Sequence, residues 1–236
     1  MTLYDKNGLI KEKEVKITLN GIAQTILTDS NGQANLNINL NPGSYSVAVE
    51  NLQTGEIKTQ TIQVVSRLSG NANVVMYYGA GKSYTVRAYD DYGNPAGAGE
   101  IVTFNVAGKN YNVQTGNQGY ASFKITLKAG SYQITATYKG FKVSNKITVK
   151  PTLITKDIKV KKGKKIKYQA KLLNTNGKAL KGKKITFKIK GKTYKAKTNN
   201  KGIAKITIKK SLKPGKYKIT VKYGKVTSTS KITVKK

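Results

Sequence analysis

Apolar and polar residues alternate along most of this chain, and the alternating segments recur three times. Alternation with a period of two places one face of a strand against a core and the other face in water. The clearest segments are Val15, Ile17, Leu19, then Val102, Phe104, Val106, then Ile185, Phe187, Ile189. Helical spacing is absent from the sequence pattern. We therefore predict an all-β fold of antiparallel β-sandwiches.

Two further alternating segments belong to each copy. The first follows a Gly-x-Ala sequence, and its predicted inward residues are Ala34, Leu36, Ile38, Leu40, then Ala121, Phe123, Ile125, Leu127, then Ala204, Ile206, Ile208. The second begins with Tyr45, Tyr132 or Tyr217, directly after a Gly-x turn. Because a buried tyrosine usually places its hydroxyl on a polar partner, we expect these rings in the core and their hydroxyls on nearby backbone.

The turns repeat as regularly as the strands. The frame Thr-x-x-x-Gly-x-Ala begins at Thr28, Thr115 and Thr198, and a turn glycine precedes each copy at Gly21, Gly108 and Gly191. A period above 80 residues fits one small domain per copy rather than a solenoid repeat. The sequence thus predicts three tandem domains, which we call module one (1–67), module two (68–151) and module three (152–236). Short linkers predict an elongated rod.

Module one lacks part of this pattern. Modules two and three begin with two more strands, predicted around Val74–Tyr77 with Ser83–Tyr89 and around Ile158–Val160 with Lys165–Leu172. Module one is short of about twenty residues by comparison. Two explanations remain open: the sequence was cut from a longer array inside a module, or a strand from a neighbouring chain completes the sheet.

Composition excludes most enzyme classes. The chain has no Cys, His or Trp, so disulfides, thiolate or imidazole metal sites and every nucleophile–histidine pair are ruled out. We predict a protein that is not an enzyme, with no catalytic, cofactor-binding or metal-binding residues. No apolar run is long enough to span a membrane and no signal peptide is evident, so we expect an internal or C-terminal fragment of an exported protein.

Positive charge increases along the chain. The net charge is +34 in total, and Lys and Arg minus Asp and Glu give 0 for module one, +6 for module two and +28 for module three. All basic residues except Arg67 and Arg87 are lysines, which favours diffuse attraction over bidentate recognition of phosphates or bases. Because specific nucleic-acid binding usually needs arginine and exposed aromatics, we predict none.

Module two carries the family resemblance. It contains Asp91-Tyr92-Gly93-Asn94-Pro95, Ile101-Val102-Thr103-Phe104 and Gly130-Ser131-Tyr132 in this order. In these motifs it resembles the bacterial Ig-like repeat of the invasin and intimin type. The lysine-rich module three, with Lys183–Ile189 and Lys213–Gly224, resembles the tandem repeats of adhesin-like surface proteins of methanogenic archaea. The resemblance implies an extracellular stalk at the cell surface or wall and transfers no binding site.

Lysines on the outward strand positions are the first candidate binding residues. We predict that module three contacts an anionic cell-wall polysaccharide or other surface polymer, while modules one and two form a stalk that displays a distal region. The predicted contacts are Lys183, Lys184, Lys188, Lys190, Lys192, Lys216, Lys218 and Lys222. The alternative is that these lysines only solvate the strands and protect sheet edges from aggregation.

Loops at the end of a sandwich are the second candidate. The segments Asp90–Ala98 and Asn105–Tyr111 are predicted loops that would contact a host or neighbouring-cell glycan or protein. Their candidate contact residues are Asp90, Asp91, Tyr92, Asn94, Lys109 and Asn110.

Overall fold

The structure is a computed structural model that describes residues 2–5, 8–38, 40–208 and 212–236. Within these residues every regular element is a β-strand. The chain packs as two compact units. One consists of Met1–Ser69 with Tyr89–Asn94, and the other of Gly70–Ala88 with Pro95–Lys236. Each unit is described by itself below.

The first unit is built around one four-stranded antiparallel sheet. Its strands are β1 (Tyr4–Asp5), β2 (Gly8–Leu9), β3 (Glu14–Leu19), β4 (Ile22–Leu27), β5 (Gly43–Asn51), β6 (Ile57–Val64) and β7 (Leu68–Ser69). The sheet has the order β4-β3-β5-β6, and β1 pairs with β2. Val15, Ile17 and Leu19 of β3 are buried on its inner face together with Ile10 and Ala34.

The second unit contains two copies of a larger arrangement. Its strands in the first copy are β8 (Val74–Tyr77), β9 (Ser83–Ala88), β10 (Ile101–Val106), β11 (Lys109–Gln114), β12 (Tyr120–Lys124), β13 (Gly130–Tyr138) and β14 (Phe141–Lys150). Those of the second copy are β15 (Leu153–Ile154), β16 (Ile158–Lys161), β17 (Ile166–Leu172), β18 (Lys184–Ile189), β19 (Lys192–Lys197), β20 (Ile203–Ile208), β21 (Gly215–Tyr223) and β22 (Val226–Lys235).

The two copies share one strand order. A five-stranded sheet runs β11-β10-β13-β14-β8 in module two and β19-β18-β21-β22-β16 in module three. The pairs β14–β8 and β22–β16 are parallel, and the other pairs are antiparallel. The facing sheets contain the antiparallel pairs β9–β12 and β17–β20.

Aromatic side chains connect the facing sheets of both copies. The ring of Tyr84 on β9 meets Phe104 on β10 edge to face, with centroids 5.9 Å apart. Tyr168 and Phe187 repeat this contact at 6.1 Å. Burial on both sides of one interior defines a sandwich. The predicted all-β, Ig-like sandwich class is therefore confirmed, whereas the division into three modules stays a prediction.

The repeated turn frame has a physical cause at two of its positions. The Thr115 hydroxyl accepts a hydrogen bond from the Glu100 amide at 3.1 Å, and Thr28 and Thr198 do the same for the amides of Lys13 and Lys183. At Gly119, φ is +76° and an added Cβ would lie 2.4 Å from the Ala88 carbonyl oxygen. Only glycine both adopts this positive φ without strain and leaves the space beside the carbonyl oxygen free.

The hydroxyl part of the tyrosine prediction is confirmed in all three copies, whereas the three tyrosines are half-buried rather than enclosed in the core. The hydroxyl of Tyr45 donates to the carbonyl of Asn41 at 2.8 Å, that of Tyr132 to Lys128 at 3.0 Å, and that of Tyr217 to Lys213 at 2.7 Å. Each of these bonds spans the turn that precedes β5, β13 or β21, because its donor and acceptor lie four residues apart. These tyrosines therefore have a structural role.

One predicted strand is wrong. Ala34, Leu36, Ile38 and Leu40 keep their apolar alternation, but residues 34–38 and residue 40 lie in no strand. The equivalent strands β12 and β20 exist through their ladders with β9 and β17, whereas in the described part of module one only the single bridge between Thr2 and Gln33 corresponds to such a ladder. Because a strand is defined by the hydrogen bonds of its partner, alternation alone does not produce one.

Candidate functional site: a lysine face on module three

The outer side of the five-stranded sheet in module three is covered by lysines. Buried residues such as Ile185, Phe187 and Ile189 alternate with exposed ones on each strand, so the strand pairing determines which lysines share the outer side. We call this surface the basic face. Its lysines are Lys159, Lys161, Lys184, Lys188, Lys195, Lys197, Lys216, Lys218, Lys222, Lys231 and Lys235.

The pairing brings like charges directly opposite each other. Lys184 faces Lys197 across β18 and β19, and Lys218 faces Lys231 across β21 and β22. Along a strand the outward positions repeat about every 7 Å, and neighbouring strands lie about 4.8 Å apart. Both spacings are below the Debye length of about 8 Å at physiological salt. The potentials of these ammonium groups therefore overlap into one continuous positive field.

One carboxylate lies beside this field and offsets only a small part of it. Module three has a single acidic residue, Asp157, and its Oδ1 accepts the backbone amide of Lys231 at 2.7 Å. Among the described residues of module three there is no salt bridge, whereas Lys16–Glu50 at 3.1 Å and Lys139–Glu100 at 3.4 Å occur elsewhere. The basic face thus requires its counterions from solution or from a partner.

The matched surface of module two carries far fewer charges. Its outer side carries only Lys142, Lys146 and Lys150 on β14, and polar side chains bond to each other across the strands. Those bonds are Asn105–Asn110 at 2.6 Å, Thr103–Asn112 at 2.9 Å and Thr135–Ser144 at 2.7 Å. In module three, Lys188 takes the place of Asn105 and Lys195 that of Asn112.

Charge also differs between the two sides of module three itself. The outer side of the β17–β20 pair carries three strand lysines, which are Lys167, Lys171 and Lys205. The basic face carries eleven. A polyanion that approaches module three therefore meets the stronger field on the five-stranded sheet.

The eight predicted contact lysines divide into two groups. Lys184, Lys188, Lys216, Lys218 and Lys222 lie on the basic face. The other three are exposed at its rim: Lys183 precedes β18, Lys192 begins β19, and Lys190 lies in the turn with its Nζ 5.2 Å from the ring centroid of Tyr217. Whether these residues contact a polymer stays a prediction.

Sequence reasoning missed six members of the basic face. They are Lys159, Lys161, Lys195, Lys197, Lys231 and Lys235. The alternation Lys-x-Lys in β19 was a usable signal, since Lys195 and Lys197 flank the half-buried Ala196. Strand order was the missing information, because it decides which alternating segments lie side by side.

The predicted loop residues around Asp90 form a closed turn. Asp90 Oδ1 accepts the amides of Tyr92 at 2.9 Å and Asn94 at 2.8 Å, and Asp91 forms an ion pair with Arg67. Tyr92 projects outward with 90% of its surface exposed. The Asp90 carboxylate is therefore engaged within the turn and that of Asp91 with Arg67, and the exposed ring of Tyr92 is the group available to a ligand.

Lys109 and Asn110 lie on β11 rather than in a loop. The segment from Asn105 to Tyr111 is a tight hairpin, because Ala107 (φ +52°) and Gly108 (φ +74°) alone connect the strands. Asn110 Oδ1 accepts a bond from the Asn105 amide. This placement does not test whether Lys109 and Asn110 contact a ligand.

Metal-binding and membrane-spanning features were also sought in the described ranges. There, no group of three or more His, Cys, Asp and Glu side chains is arranged to hold a metal ion. Asp29 Oδ1 accepts the amides of Asn31 and Gln33, both at 2.8 Å, which is the geometry of a turn. None of the described residues belongs to a helix long and apolar enough to cross a membrane.

Comparisons with known proteins give only remote likenesses. No protein-family model and no curated protein matches the chain. Among solved structures, the I9–I11 tandem from titin has 14% identity and a TM-score of 0.35, with 93% of this chain and 87% of that chain covered. A Ca²⁺-stabilized adhesin that helps an Antarctic bacterium reach out and bind ice has 13% identity and a TM-score of 0.26, with 95% and 66% covered.

The surface layer protein SbsC, domains 4–9, has 15% identity and a TM-score of 0.28, with 99% of this chain and 42% of that chain covered. The chain thus spans less than two thirds of the adhesin and of the surface layer structure. At these TM-scores the likenesses carry no argument about function.

Proposed function

We propose that this chain is a non-enzymatic stalk segment of an extracellular, adhesin-like surface protein, and that the basic face retains it on the anionic polysaccharide of a cell wall. The supporting observation is the field of eleven lysines with one neighbouring carboxylate, that of Asp157. A surface of this kind attracts any polyanion and releases bound counterions on contact. The weakly charged outer faces of the other modules suit a spacer.

Diffuse binding fits the chemistry of the face better than a pocket does. Lysine presents a point charge on a flexible stem, so it tolerates polymers of irregular spacing. The face measures about 30 Å along β21 and about 20 Å across five strands, which is room for several charged units of a chain molecule. Threonines such as Thr186 and Thr220 lie between the lysines and offer hydroxyls to sugar oxygens.

A wall-binding assay with two charge-matched triple variants of the full chain tests the proposal. Lys188→Gln, Lys195→Gln and Lys222→Gln remove three charges from the basic face, while Lys167→Gln, Lys171→Gln and Lys205→Gln remove three from the opposite side. We expect the slope of log affinity against log salt to fall by roughly three for the first variant and by less than about one for the second.

Three results would contradict this function. Equal slopes for the two variants would show that net charge alone drives binding. Undiminished binding to wall stripped of its anionic groups would exclude the electrostatic partner. Binding that does not respond to salt would exclude both the charge of the protein and the anionic groups of the wall as the cause of binding.

A second function is favoured by Tyr92 alone. An exposed aromatic ring beside the Asp91–Arg67 ion pair is suited to stacking on a sugar or a protein side chain. A glycan array with wild type and Tyr92→Ala tests this, and hits that persist in the variant would contradict it.

A further inference from the structure

The inner face of module one is incompletely covered compared with its sister modules. Ile38 is 48% exposed, whereas the matched Ile125 and Ile208 are each 3% exposed. On β6, Ile62 and Val64 are half-buried, while their counterparts on β14 and β22 are fully buried. These counterparts are Ile147, Val149, Ile232 and Val234. The difference shows where the covering element is missing in the described part of module one.

In modules two and three two consecutive strands, one in each sheet, provide this cover, and we call this unit the arch. The first strand of the arch, β8 or β16, pairs in parallel with β14 or β22. The second strand, β9 or β17, pairs with β12 or β20. In module one, β6 is the edge of its sheet among the described residues, and residues 35–38 lie in no ladder.

Backbone hydrogen bonds fix the register of the missing arch. The Leu3 amide donates to the Gly32 carbonyl at 2.9 Å, as Ala88 does to Gly119 at 2.8 Å. Leu172 makes the same bond to Gly202 at 2.8 Å. Leu3 therefore occupies the position at which β9 and β17 end, and Thr2 bridges Gln33 as Arg87 pairs with Tyr120. The positions that remain open correspond to residues 74–85 of module two.

We propose that the β6 edge and residues 35–38 of module one bind an arch of two strands built like residues 74–85 and supplied by a polypeptide segment outside residues 1–236. Its first strand pairs in parallel with Ile62–Val65. Its second strand runs antiparallel to residues 35–38 and covers Ile38. Backbone bonds along an open edge give such additions their affinity, and alternate side chains in the interior give them their specificity.

The chemistry of the occupant follows from the two arches already in place. Tyr84 of β9 is buried against the opposite sheet, and Thr85 beside it points outward. Tyr84 lies over Phe104, whose counterpart in module one is Ile17. The segment that binds module one therefore carries a large apolar or aromatic residue at the position of Tyr84.

A second copy of this chain does not offer such a segment freely. Its two arches, β8 with β9 and β16 with β17, are already paired within modules two and three. Donating either one would open the sandwich that it leaves. The occupant is therefore assigned to a separate segment.

The direct test adds a fluorescent peptide of residues 72–86 to the full chain. We expect saturable, one-to-one binding measured by anisotropy. Hydrogen exchange read by mass spectrometry should show new protection at residues 35–38 and 61–65. The peptide variant Tyr84→Asp should lose binding by at least about tenfold, and Thr85→Asp, with the same charge on the outward side, should change it by less than about threefold.

Two chain variants locate the contact on the acceptor. Ile38→Asp changes an exposed residue of the proposed groove, and Leu27→Asp changes a 63% exposed residue on the outer side of β4. Since both side chains are exposed, neither change should unfold module one. We expect Ile38→Asp to lose at least about tenfold in peptide affinity and Leu27→Asp to stay within about twofold of wild type.

The following results would overturn the proposal. They are the absence of saturable binding, equal losses for the two peptide variants, equal losses for the two chain variants, or protection confined to module two. Concentration-dependent self-association of the chain that protects residues 35–38 and 61–65 would assign the groove to a second copy instead. None of these results bears on wall binding by the basic face.

Discussion

Modules two and three share the strand order and buried positions of their interiors, but their outer surfaces differ in charge and in hydrogen bonding. Their five-stranded sheets share strand order, and Phe104 and Phe187 occupy the same buried position. On the outside, one sheet carries a ladder of hydrogen-bonded amides and hydroxyls and the other carries eleven lysines. The comparison shows that the inward residues and turns specify the sandwich, and that the outward residues are free to vary.

Breaking the shared interior should have the largest effect. Phe187→Ala and Phe104→Ala each remove a fully buried ring, and we expect each to lower the free energy of unfolding by about 3–5 kcal/mol. Lys188→Ala, on the outward side of the same strand, should change it by less than about 0.5 kcal/mol. Urea unfolding measures these differences. Similar losses for Phe187→Ala and Lys188→Ala would contradict the division between the two sides.

High pH should act on module two through Tyr84. Burial raises the pKa of its hydroxyl to about 12, from 10.0, so the folded state favours the neutral form. This stabilisation is complete below pH 10 and is lost as pH rises through about 12. The loss should reach about 2 kcal/mol over this range. Tyr84→Phe should remove that part of the pH dependence, and parallel stability curves for the variant and wild type above pH 10 would refute it.

Substitution of the turn glycine that modules two and three share should lower the free energy of unfolding equally in both modules. In Gly119→Ala and Gly202→Ala a Cβ is placed 2.4 Å from a carbonyl oxygen at a φ above +70°, and we expect each change to cost about 1–3 kcal/mol. Gly116→Ala, three residues earlier in the module two turn, meets no atom within 4 Å and should cost little. Unequal costs at Gly119 and Gly202 in urea unfolding would show that the two turns are not equivalent.

Transferring the amide ladder to module three should have the smallest effect. Lys188→Asn with Thr193→Asn recreates the Asn105–Asn110 pair on β18 and β19. We expect a gain of about 0.2–1 kcal/mol, because a cross-strand bond forms and one uncompensated charge is removed. The gain should shrink at high salt if charge relief contributes. A loss of stability would show that the lysines support this face in another way.

The sequence predicted the strands best where both neighbours of a strand lie within the chain. β10, β13 and β21 follow the alternation of their apolar residues, and the hydroxyls of Tyr45, Tyr132 and Tyr217 bond where the turns required. The failure at residues 34–40 has the opposite cause. Alternation reports which side of a segment is apolar, but pairing depends on a second segment that the pattern does not identify.

The sequence predicted only part of the basic face, again because the pattern does not identify which segments pair. Lys184, Lys188, Lys216, Lys218 and Lys222 were identified from alternation within single segments. Lys195 and Lys231 join them only through the register that places β19 beside β18 and β22 beside β21. The ion pair of Arg67 with Asp91 was equally invisible, because it depends on where the chain returns after 24 residues.

The parallel pairing of β8 with β14 has a mechanical consequence for a chain under tension. Val74–Tyr77 lies near the start of module two and Ile147–Lys150 at its end, so a pull on both ends slides the two strands along each other. All bonds of the pair then bear the load together and must break together, unlike those of a hairpin that peels open one pair at a time. Module three is clamped in the same way by β16 and β22. In a chain under tension, the described part of module one would extend first, because its β6 has no parallel partner among the described residues.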